Sequence, residues 1–236
     1  MKHPNLFQSY TFNNGVTVSN RLAVAPMTHL ASDDNGHITA EERQFLTDRF
    51  RGIGLFISAA TLVHDGGKAF YGQPEAIGTE DLPSLREVAR IAHDQGAKAL
   101  LQIHHGGWQS IPALNPNGEI FAPSEHPETG AKALTEAQIL SIIDGYGRAA
   151  ELALEAGFDG VEIHGANNYL IQQFFSAQSN RRTDAWGGSL QNRLRFPLAV
   201  VDAVAAAVKA HAKPDFILGY RFSPEEPGEH GITMAE

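Results

Sequence analysis

The sequence predicts an α/β fold in which strands and helices alternate, and the TIM (β/α)8 barrel is the architecture that it favours. Short apolar runs typical of buried parallel strands are separated by longer amphipathic runs typical of crossover helices. No G-x-G-x-x-G motif follows the first strand and no G-x-x-x-x-G-K-[ST] motif occurs. These motifs are typical of open nucleotide-binding sheets, so their absence argues against that fold. Five strands can be counted where a closed barrel needs eight. We therefore expect an incomplete barrel of about five βα units with an N-terminal β-hairpin, forming one domain over residues 1–236.

Composition and charge exclude several classes of protein. Hydrophobic residues make up 42% of the 236 residues and charged residues 19%, as in an ordinary globular domain. The net charge of −9 and the lack of a Lys/Arg cluster argue against a nucleic-acid or membrane partner. The absence of cysteine excludes disulfides, thiolate metal sites and a cysteine nucleophile. Neither a signal peptide nor an apolar run of membrane-spanning length is recognised, so we expect a cytoplasmic protein, and a homo-oligomer is compatible with the sequence.

Local signals place the elements of the first half. Alternating apolar residues on either side of Asn14-Gly15 predict a hairpin. Thr39 followed by Glu42 has capping-box spacing at the start of a helix, and Gly96 is suited to ending the next one. The predicted elements are a hairpin over 5–20, strand one over 21–26, a helix from Thr39 to about Arg51, strand two over 55–60 and a helix over 83–95.

The second half continues the alternation with longer loops. Thr135 and Gln138 form a second capping-box pair, Gly157 is suited to ending the helix that they begin, and Ser189 can cap the last helix. The loop over 106–134 is too long for a plain connection, and such loops are usually functional. The predicted elements are strand three over 97–104, a helix from 135 to 157, strand four from Phe158, a loop over 176–188, a helix from Ser189, strand five over 216–221 and an irregular tail over 224–236.

Polar side chains collect at the carboxyl ends of the predicted strands. Residues of one parity share a face, so Gln102 lies on the same face as His104, and Glu162 on the same face as His164. Strand five ends in the same way, at an arginine. Three successive strands that end alike predict an aperture at the strand ends, where barrel active sites lie. Its predicted lining is Gln102, His164, Asn167, Tyr169 and Arg221, with small contacts from Thr28 and Ala60.

This set of side chains favours redox chemistry with a bound cofactor. The strand ends carry no carboxylate pair and the chain has no G-x-S-x-G motif, which argues against glycoside hydrolysis and serine acyl transfer. A histidine beside an asparagine can hold an oxygen that gains negative charge, and a nearby tyrosine can deliver a proton. Arginine supports an anionic neighbour, and glutamine suits a flat, amide-bearing ring. Hydride addition to an electron-poor double bond fits these groups, but a redox cofactor must supply the hydride.

Two alternative interpretations of the polar residues stay open. The first is a metal-dependent hydrolase or aldolase with the candidate ligands His104, His105, Glu162 and His164. Adjacent histidines on a strand point to opposite faces, which counts against both of them binding one ion. The second is a solvated salt-bridge network in the basic loop, formed by Arg181, Arg182 and Arg193.

Several segments match one known family in the same order. The most specific is N-R-R-T-D-A-W-G-G-S over 180–189. The others are A-P-M-T over 25–28, Gln102, H-G-A-N-N-Y-L over 164–170, Asn192-Arg193 and Arg221. Together they resemble the Old Yellow Enzyme family of FMN-dependent ene-reductases (NADH:flavin oxidoreductases), over about residues 4 to 223. The hairpin over 5–20 matches the one that closes the bottom of the barrel in that family.

The resemblance implies FMN as cofactor, NAD(P)H as reductant and a small-molecule activated alkene as substrate. Thr28 would tune the flavin, Gln102 would bond its pyrimidine edge, and Arg221 would stabilise its anionic reduced form. The residues implied to bind the cofactor are Pro26, Met27, Thr28, Ala60, Gln102, His164 and Arg221.

The resemblance also implies the catalytic residues. His164 and Asn167 would hold the carbonyl or nitro oxygen of the substrate, and Tyr169 would protonate the α-carbon after hydride reaches the β-carbon.

The sequence departs from the family in two ways. Trp108 stands where many relatives carry arginine, and the three further βα units, whose last two loops grip the FMN phosphate, are not found after Glu236. The alternative function is therefore a truncated, non-catalytic barrel fragment with weak or no FMN binding.

Overall fold

A single parallel sheet, with helices packed against it, forms the framework of the computed structural model, which describes residues 3–236. Its strands are β1 (Tyr10–Thr11), β2 (Thr17–Val18), β3 (Ala23–Val24), β4 (Leu55–Ile57), β5 (Thr61–Leu62), β6 (Lys98–His104), β7 (Phe121–Ala122), β8 (Lys132–Ala133), β9 (Gly160–Gly165) and β10 (Ile217–Phe222). Its α-helices are α1 (Ala40–Leu46), α2 (Leu82–Asp94), α3 (Glu136–Ala156), α4 (Leu170–Phe175) and α5 (Leu190–Ala210).

The strand order confirms the incomplete barrel. In the main sheet the strands follow the order β3, β4, β6, β9 and β10, all parallel, with β5 pairing with β6 beyond the end of β4. Consecutive βα units are therefore neighbours, as in a (β/α)8 barrel. Within residues 3–236 the sheet does not close, and β3 and β10 are its two edges.

The N-terminal hairpin is present where the sequence predicts it. β1 and β2 pair antiparallel, and the side chain of Asn14 in the turn donates to the carbonyl of Phe216, 3.0 Å away just before β10. Val16 packs in a small apolar cluster with Ile57 and Leu100. These contacts hold the hairpin against the amino ends of the sheet strands, opposite the ends where the polar residues collect.

Two of the predicted elements are too long. α1 begins after Thr39, whose hydroxyl accepts from the amide of Glu42 at 3.1 Å, but it ends at Leu46 and not near Arg51. It stops because Asp48 adopts a left-handed conformation, with φ of 61°. The amide of Phe50 then donates to the side-chain oxygen of Gln95, just after α2. Strand one is similarly cut to Ala23–Val24 and ends before Pro26, which has no N–H to donate to the ladder.

Strand two is divided by a side-chain hydrogen bond. Ser58 continues the ladder with its amide, which donates to Leu100, but its hydroxyl then accepts from the amide of Gln102 at 2.9 Å. A side-chain oxygen thus takes the place of a ladder carbonyl, and the chain leaves regular pairing until β5. The break lets the segment that carries Ala60 turn at the end of the sheet.

The second half follows the prediction more closely. Both halves of the capping box at Thr135 and Gln138 are present, and Gly157, with φ of 88°, ends α3. Ser189 caps α5 through the amide of Asn192. The main core lies between the sheet and the helices, where the fully buried side chains include Tyr146, Phe158 and Phe196. None of the helices in the described part of the chain has the length and apolarity to cross a membrane.

Candidate active site

The site lies at the carboxyl ends of β6, β9 and β10. Parallel pairing sets Gln102 opposite Glu162, and Arg221 opposite His164. Side chains of the same parity on neighbouring strands point to the same face of the sheet, so these four groups share one face. The structure therefore brings together the strand-end residues that the sequence selects.

A carboxylate joins two of the predicted cofactor residues. Glu162 accepts from Gln102 Nε2 at 2.5 Å, from Arg221 Nε at 2.9 Å and from Arg221 Nη2 at 3.3 Å. Glu162 is missing from the residues predicted for this site, although its parity with His164 is a usable signal. The result is a connected row of amide, carboxylate and guanidinium across three strands.

His164 and Asn167 form a pair of donors. His164 Nδ1 accepts from the amide of Ala166 at 3.3 Å, so in the neutral ring the proton sits on Nε2. Asn167 Nδ2 lies 3.4 Å from that nitrogen. Both nitrogens carry hydrogens, so they cannot accept from each other. They are placed so that both can donate to one oxygen atom of a bound ligand.

The turn that presents Asn167 is fixed by hydrogen bonds. Asn167 and Asn168 both have positive φ, 56° and 60°, which is strained for residues other than glycine and is best tolerated by asparagine. Gln109 Nε2 donates to both of their carbonyls, at 2.9 and 2.8 Å. Gln173 donates to the carbonyl of Asn168 at 2.7 Å, and Ser223 accepts from the amide of Asn167 at 3.2 Å. The loops after β6 and β10 thus hold this turn from two sides.

Tyr169 packs edge-to-face against two imidazole rings. Its ring centroid lies 5.1 Å from that of His164 and 4.3 Å from that of His104. Burial raises the pKa of Tyr169, so its hydroxyl is protonated at neutral pH and can act as a donor. The tyrosine predicted to supply a proton therefore lies beside the donor pair.

Neutral histidines surround this region. Burial, followed by the positive charge of Arg221, lowers the pKa of His164 to about 4. Burial lowers the pKa of His105 to about 3, and it lowers the pKa of His104 well below its ordinary value. All three rings are neutral at pH 7, so His164 offers a neutral N–H and not a cation.

The remaining predicted cofactor residues lie at the same carboxyl ends of the sheet strands. Pro26, Met27 and Thr28 follow β3 after Ala25, and Met27 is 53% exposed. Ala60 is buried, and its carbonyl accepts from Gln73 Nε2 at 3.2 Å. Among the described residues, no hydrogen bond joins the 26–28 segment to Gln102 or His164. In the sheet, β4 lies between β3 and the strand that carries Gln102, and His164 is on the next strand beyond.

The two adjacent histidines of the metal hypothesis, His104 and His105, point away from each other. The ring of His104 faces that of His164 at 5.4 Å, whereas the ring of His105 faces that of His64 at 6.2 Å. No group of three or more His, Cys, Asp or Glu side chains among residues 3–236 is arranged to hold a metal ion. The geometry matches the opposite-face argument made from the sequence.

The arginines of the basic loop combine ion pairs with hydrogen bonds to backbone carbonyls. Arg182 Nη1 donates to the carbonyls of Pro123 and Leu134, at 2.8 and 2.7 Å. Arg193 donates to the carbonyl of Phe175 at 2.8 Å and is buried. Both arginines also form the ion pairs that the sequence predicts, Arg182 with Asp184 at 2.6 Å and Arg193 with Glu236 at 2.7 Å. The two arginine side chains are largely buried, so these pairs are less solvated than expected, and each arginine also satisfies backbone carbonyls.

The sequence and the fold of this chain resemble those of known oxidoreductases. The profile of the NADH:flavin oxidoreductase / NADH oxidase family matches residues 5–236. "Probable NADH-dependent flavin oxidoreductase YqiG" of Bacillus subtilis (strain 168) is 49% identical over 238 residues, which covers 100% of this chain and 64% of that protein. "Probable flavin mononucleotide-dependent alkene reductase" of Leishmania infantum is 37% identical over 229 residues, 89% of this chain and 61% of that protein.

Solved structures show the same architecture. Morphinone reductase in complex with tetrahydroNAD superposes with a TM-score of 0.84 at 30% identity, covering 98% of this chain and 67% of that one. Old Yellow Enzyme from Pichia sp. AKU4542 superposes with a TM-score of 0.85 at 28% identity, covering 93% of this chain and 60% of that one. The chain thus spans a little under two thirds of the two curated relatives named above. The resemblance to Old Yellow Enzymes, with FMN and NAD(P)H as the family's cofactors, is confirmed, and this protein belongs to the NADH:flavin oxidoreductase / NADH oxidase family.

Proposed function

We propose that this chain carries the flavin and substrate sites of an FMN-dependent oxidoreductase, within a single domain over residues 1–236. The enzyme would pass a hydride from NAD(P)H through FMN to an activated C=C bond of an α,β-unsaturated carbonyl or nitro compound. The observation that carries the proposal is the donor pair, His164 Nε2 and Asn167 Nδ2, 3.4 Å apart beside Tyr169. The name of the Leishmania infantum relative, an alkene reductase, supports the same substrate class.

The residues at the strand ends fit a flavin ring. Arg221 supplies a cation, and Gln102 supplies an amide whose nitrogen is held by Glu162, which leaves its carbonyl oxygen as an acceptor for a ring N–H. Pro26, Met27 and Ala60 are apolar and suit the surface of a flat ring. When bound, FMN supplies the hydride chemistry that none of these side chains can perform.

The chain's own residues prepare the substrate. His164 and Asn167 bind the carbonyl or nitro oxygen and draw electron density from the double bond, because both donors meet the atom on which negative charge develops. The pKa of Tyr169 is raised, so its hydroxyl keeps its proton until the α-carbon needs it. Gln109 and Gln173 orient the turn that carries Asn167.

A second candidate is a barrel fragment that binds FMN weakly or not at all. The observation that favours it is the exposed end of the sheet, where Leu218 and Tyr220 of β10 are each 37% exposed and Phe222 is 65% exposed. At an open sheet edge, one side of the binding site is exposed to solvent, so a bound ring is less enclosed.

Anaerobic NAD(P)H oxidation by the FMN-loaded protein, with 2-cyclohexen-1-one as the alkene, tests the proposal. We expect alkene-dependent oxidation that falls by about two orders of magnitude in His164→Ala and in Asn167→Ala. His230→Asn, at an exposed histidine, is the control and should match the wild type. A flavin-loaded protein that oxidises NAD(P)H but leaves the alkene unreduced would contradict the substrate class, and failure to retain FMN would favour the fragment.

A further inference from the structure

We infer that Glu162 is a positioning residue, which sets the amide orientation of Gln102 and the net charge that Arg221 presents to the flavin, and so tunes the reduction potential of the flavin. The inference rests on the proposed function and deepens it. It assigns a role to a residue whose side chain is aimed at its two neighbours and need not touch the cofactor at all.

The position of Glu162 follows from the register of the sheet. It stands on the middle strand, β9, directly opposite Gln102 on β6 and Gly219 on β10. A Cβ atom at Gly219 would lie 3.7 Å from Glu162 Cγ, so the glycine leaves the space over the carboxylate open. Arg221, two residues further along β10, uses that space to reach back to Glu162.

The first consequence concerns the amide of Gln102. An amide can be placed in two orientations that differ by exchange of oxygen and nitrogen, and its hydrogen bonds decide between them. The carboxylate is an acceptor only, so it selects the orientation in which Nε2 faces Glu162, at 2.5 Å. The carbonyl of Gln102 is then the end that is free to accept from a ring N–H.

The second consequence concerns charge. The Glu162 side chain is 11% exposed and that of Arg221 is 36% exposed, so their interaction is only partly screened by solvent. Paired, they present almost no net charge to a neighbouring ring. Without the carboxylate, Arg221 would present a full positive charge, which stabilises an anionic reduced flavin more than an oxidised, neutral one. Removing the charge of Glu162 should therefore raise the reduction potential of the flavin.

A purely structural role makes different predictions from this one. If Glu162 only stabilised the sheet, its loss would lower stability without moving the potential in a set direction. In the tuning role the sign follows the charge: Glu162→Gln shifts the potential upward, Arg221→Gln shifts it downward, and the neutral double variant returns it towards the wild-type value. The double variant leaves no unpaired charge in the site, so it should fold even where a single variant folds poorly. The potential of its bound flavin can then still be compared with that of the wild type.

The experiment measures the midpoint potential of bound FMN in the 236-residue protein, by equilibration with a reference dye, together with the affinity for oxidised FMN. We expect Glu162→Gln to bind reduced FMN about tenfold more tightly relative to oxidised FMN, which is about 30 mV for a two-electron couple. Glu162→Asp should stay near the wild type because it keeps the charge. Glu151→Gln, at an exposed position of α3, is the matched control and should change nothing. Bound FMN with an unchanged potential in Glu162→Gln would overturn the inference.

A flavin-free measurement separates this inference from the proposed function. In the ¹⁵N–¹H spectrum of the protein without FMN, the side-chain NH2 signals of Gln102 and the Nε–H signal of Arg221 should both move in Glu162→Gln and not in Glu151→Gln. If either signal stays in place, Glu162 does not couple the two side chains and the inference is wrong. A wild-type protein that fails to bind FMN would contradict the proposed function. In that case the NMR signals of Gln102 and Arg221 would still show whether Glu162 couples these two side chains.

Discussion

Gln73 Nε2 lies 3.0 Å from His104 Nδ1, and this contact determines where the proton of a buried imidazole sits. The carbonyl oxygen of Gln73 accepts from the amide of Ala69 at 2.8 Å, so the nitrogen end of the side chain must face His104. His104 Nδ1 is therefore an acceptor and its Nε2 carries the proton. Among residues 3–236, that Nε2 has no hydrogen-bond partner, although the ring is completely buried next to Tyr169.

The first prediction concerns this tautomer. In the wild type, His104 should be the neutral Nε2–H form from pH 5 to pH 8, because burial lowers its pKa well below the ordinary value. Gln73→Glu replaces the donor with an acceptor and should move the proton to Nδ1. The ¹⁵N chemical shifts of the two ring nitrogens report the difference. An unchanged pattern in Gln73→Glu would show that Gln73 does not set the tautomer.

The second prediction separates the two half-reactions of the proposed enzyme. Tyr169→Phe removes the hydroxyl that would protonate the α-carbon but keeps the ring that packs on His104 and His164. Reduction of the alkene should slow by about two to four orders of magnitude, the usual contribution of a positioned acid, while NAD(P)H still reduces the flavin at the wild-type rate. Stopped-flow traces at the flavin absorbance follow each step. Equal loss of both steps would remove Tyr169 from the acid role.

The third prediction is a loss of stability in mild acid. The pKa of His164 is about 4 in the folded chain and near 6.5 when unfolded, so between these values the unfolded chain binds more protons. The stability is complete above about pH 6.5 and is lost as the pH falls towards 4, by on the order of 3 kcal/mol from this residue. Urea titrations from pH 7 to pH 4 measure it.

His164→Asn should reduce that pH dependence, whereas His230→Asn, at an exposed site, should leave it as it is. Asp159 provides an internal comparison because its pKa is lowered to about 2, by hydrogen bonds from His93 and Lys98 that outweigh its burial. The contribution of Asp159 to the free energy of unfolding is lost only at lower pH, as its carboxylate gains a proton. Equal acid sensitivity in His164→Asn and the wild type would contradict the assignment.

The fourth prediction concerns the anchor of the long loop after β6. Arg182→Ala leaves the carbonyls of Pro123 and Leu134 without their donor and should lower the free energy of unfolding by about 2–3 kcal/mol. Arg148→Ala removes an exposed arginine of α3, and it should cost much less. Limited proteolysis within 107–134 should become faster in the first variant alone. Similar cleavage of both variants would argue against the anchoring role.

The sequence is sufficient to predict the elements that have local signals. The cap at Ser189, the capping box at Thr135 and the glycine after α3 specify helix ends through neighbours a few residues away, and all are present. The alternation of Val161 and Ile163 with Glu162 and His164 likewise predicts which residues occupy each face of β9. Local chemistry of this kind does not depend on the rest of the fold.

Contacts between distant segments could not be predicted in this way. The link from Gln73 to His104 spans 31 positions, and that from Gln109 to Asn167 spans 58. Each depends on how two loops meet after the sheet has formed, and neither has a periodic pattern. Helix α4 is missed for a related reason, since its six residues are too few to show a helical period.

Binding of FMN at the strand ends tests the central claim most directly. Titration of FMN with the 236-residue protein, followed by quenching of flavin fluorescence, measures the affinity in wild type, in Arg221→Ala and in Arg148→Ala, a control at an exposed position on α3. We predict that the wild type and the control bind FMN equally, and that Arg221→Ala binds it at least tenfold more weakly. Equal binding by all three proteins would contradict a flavin site at the ends of β6, β9 and β10.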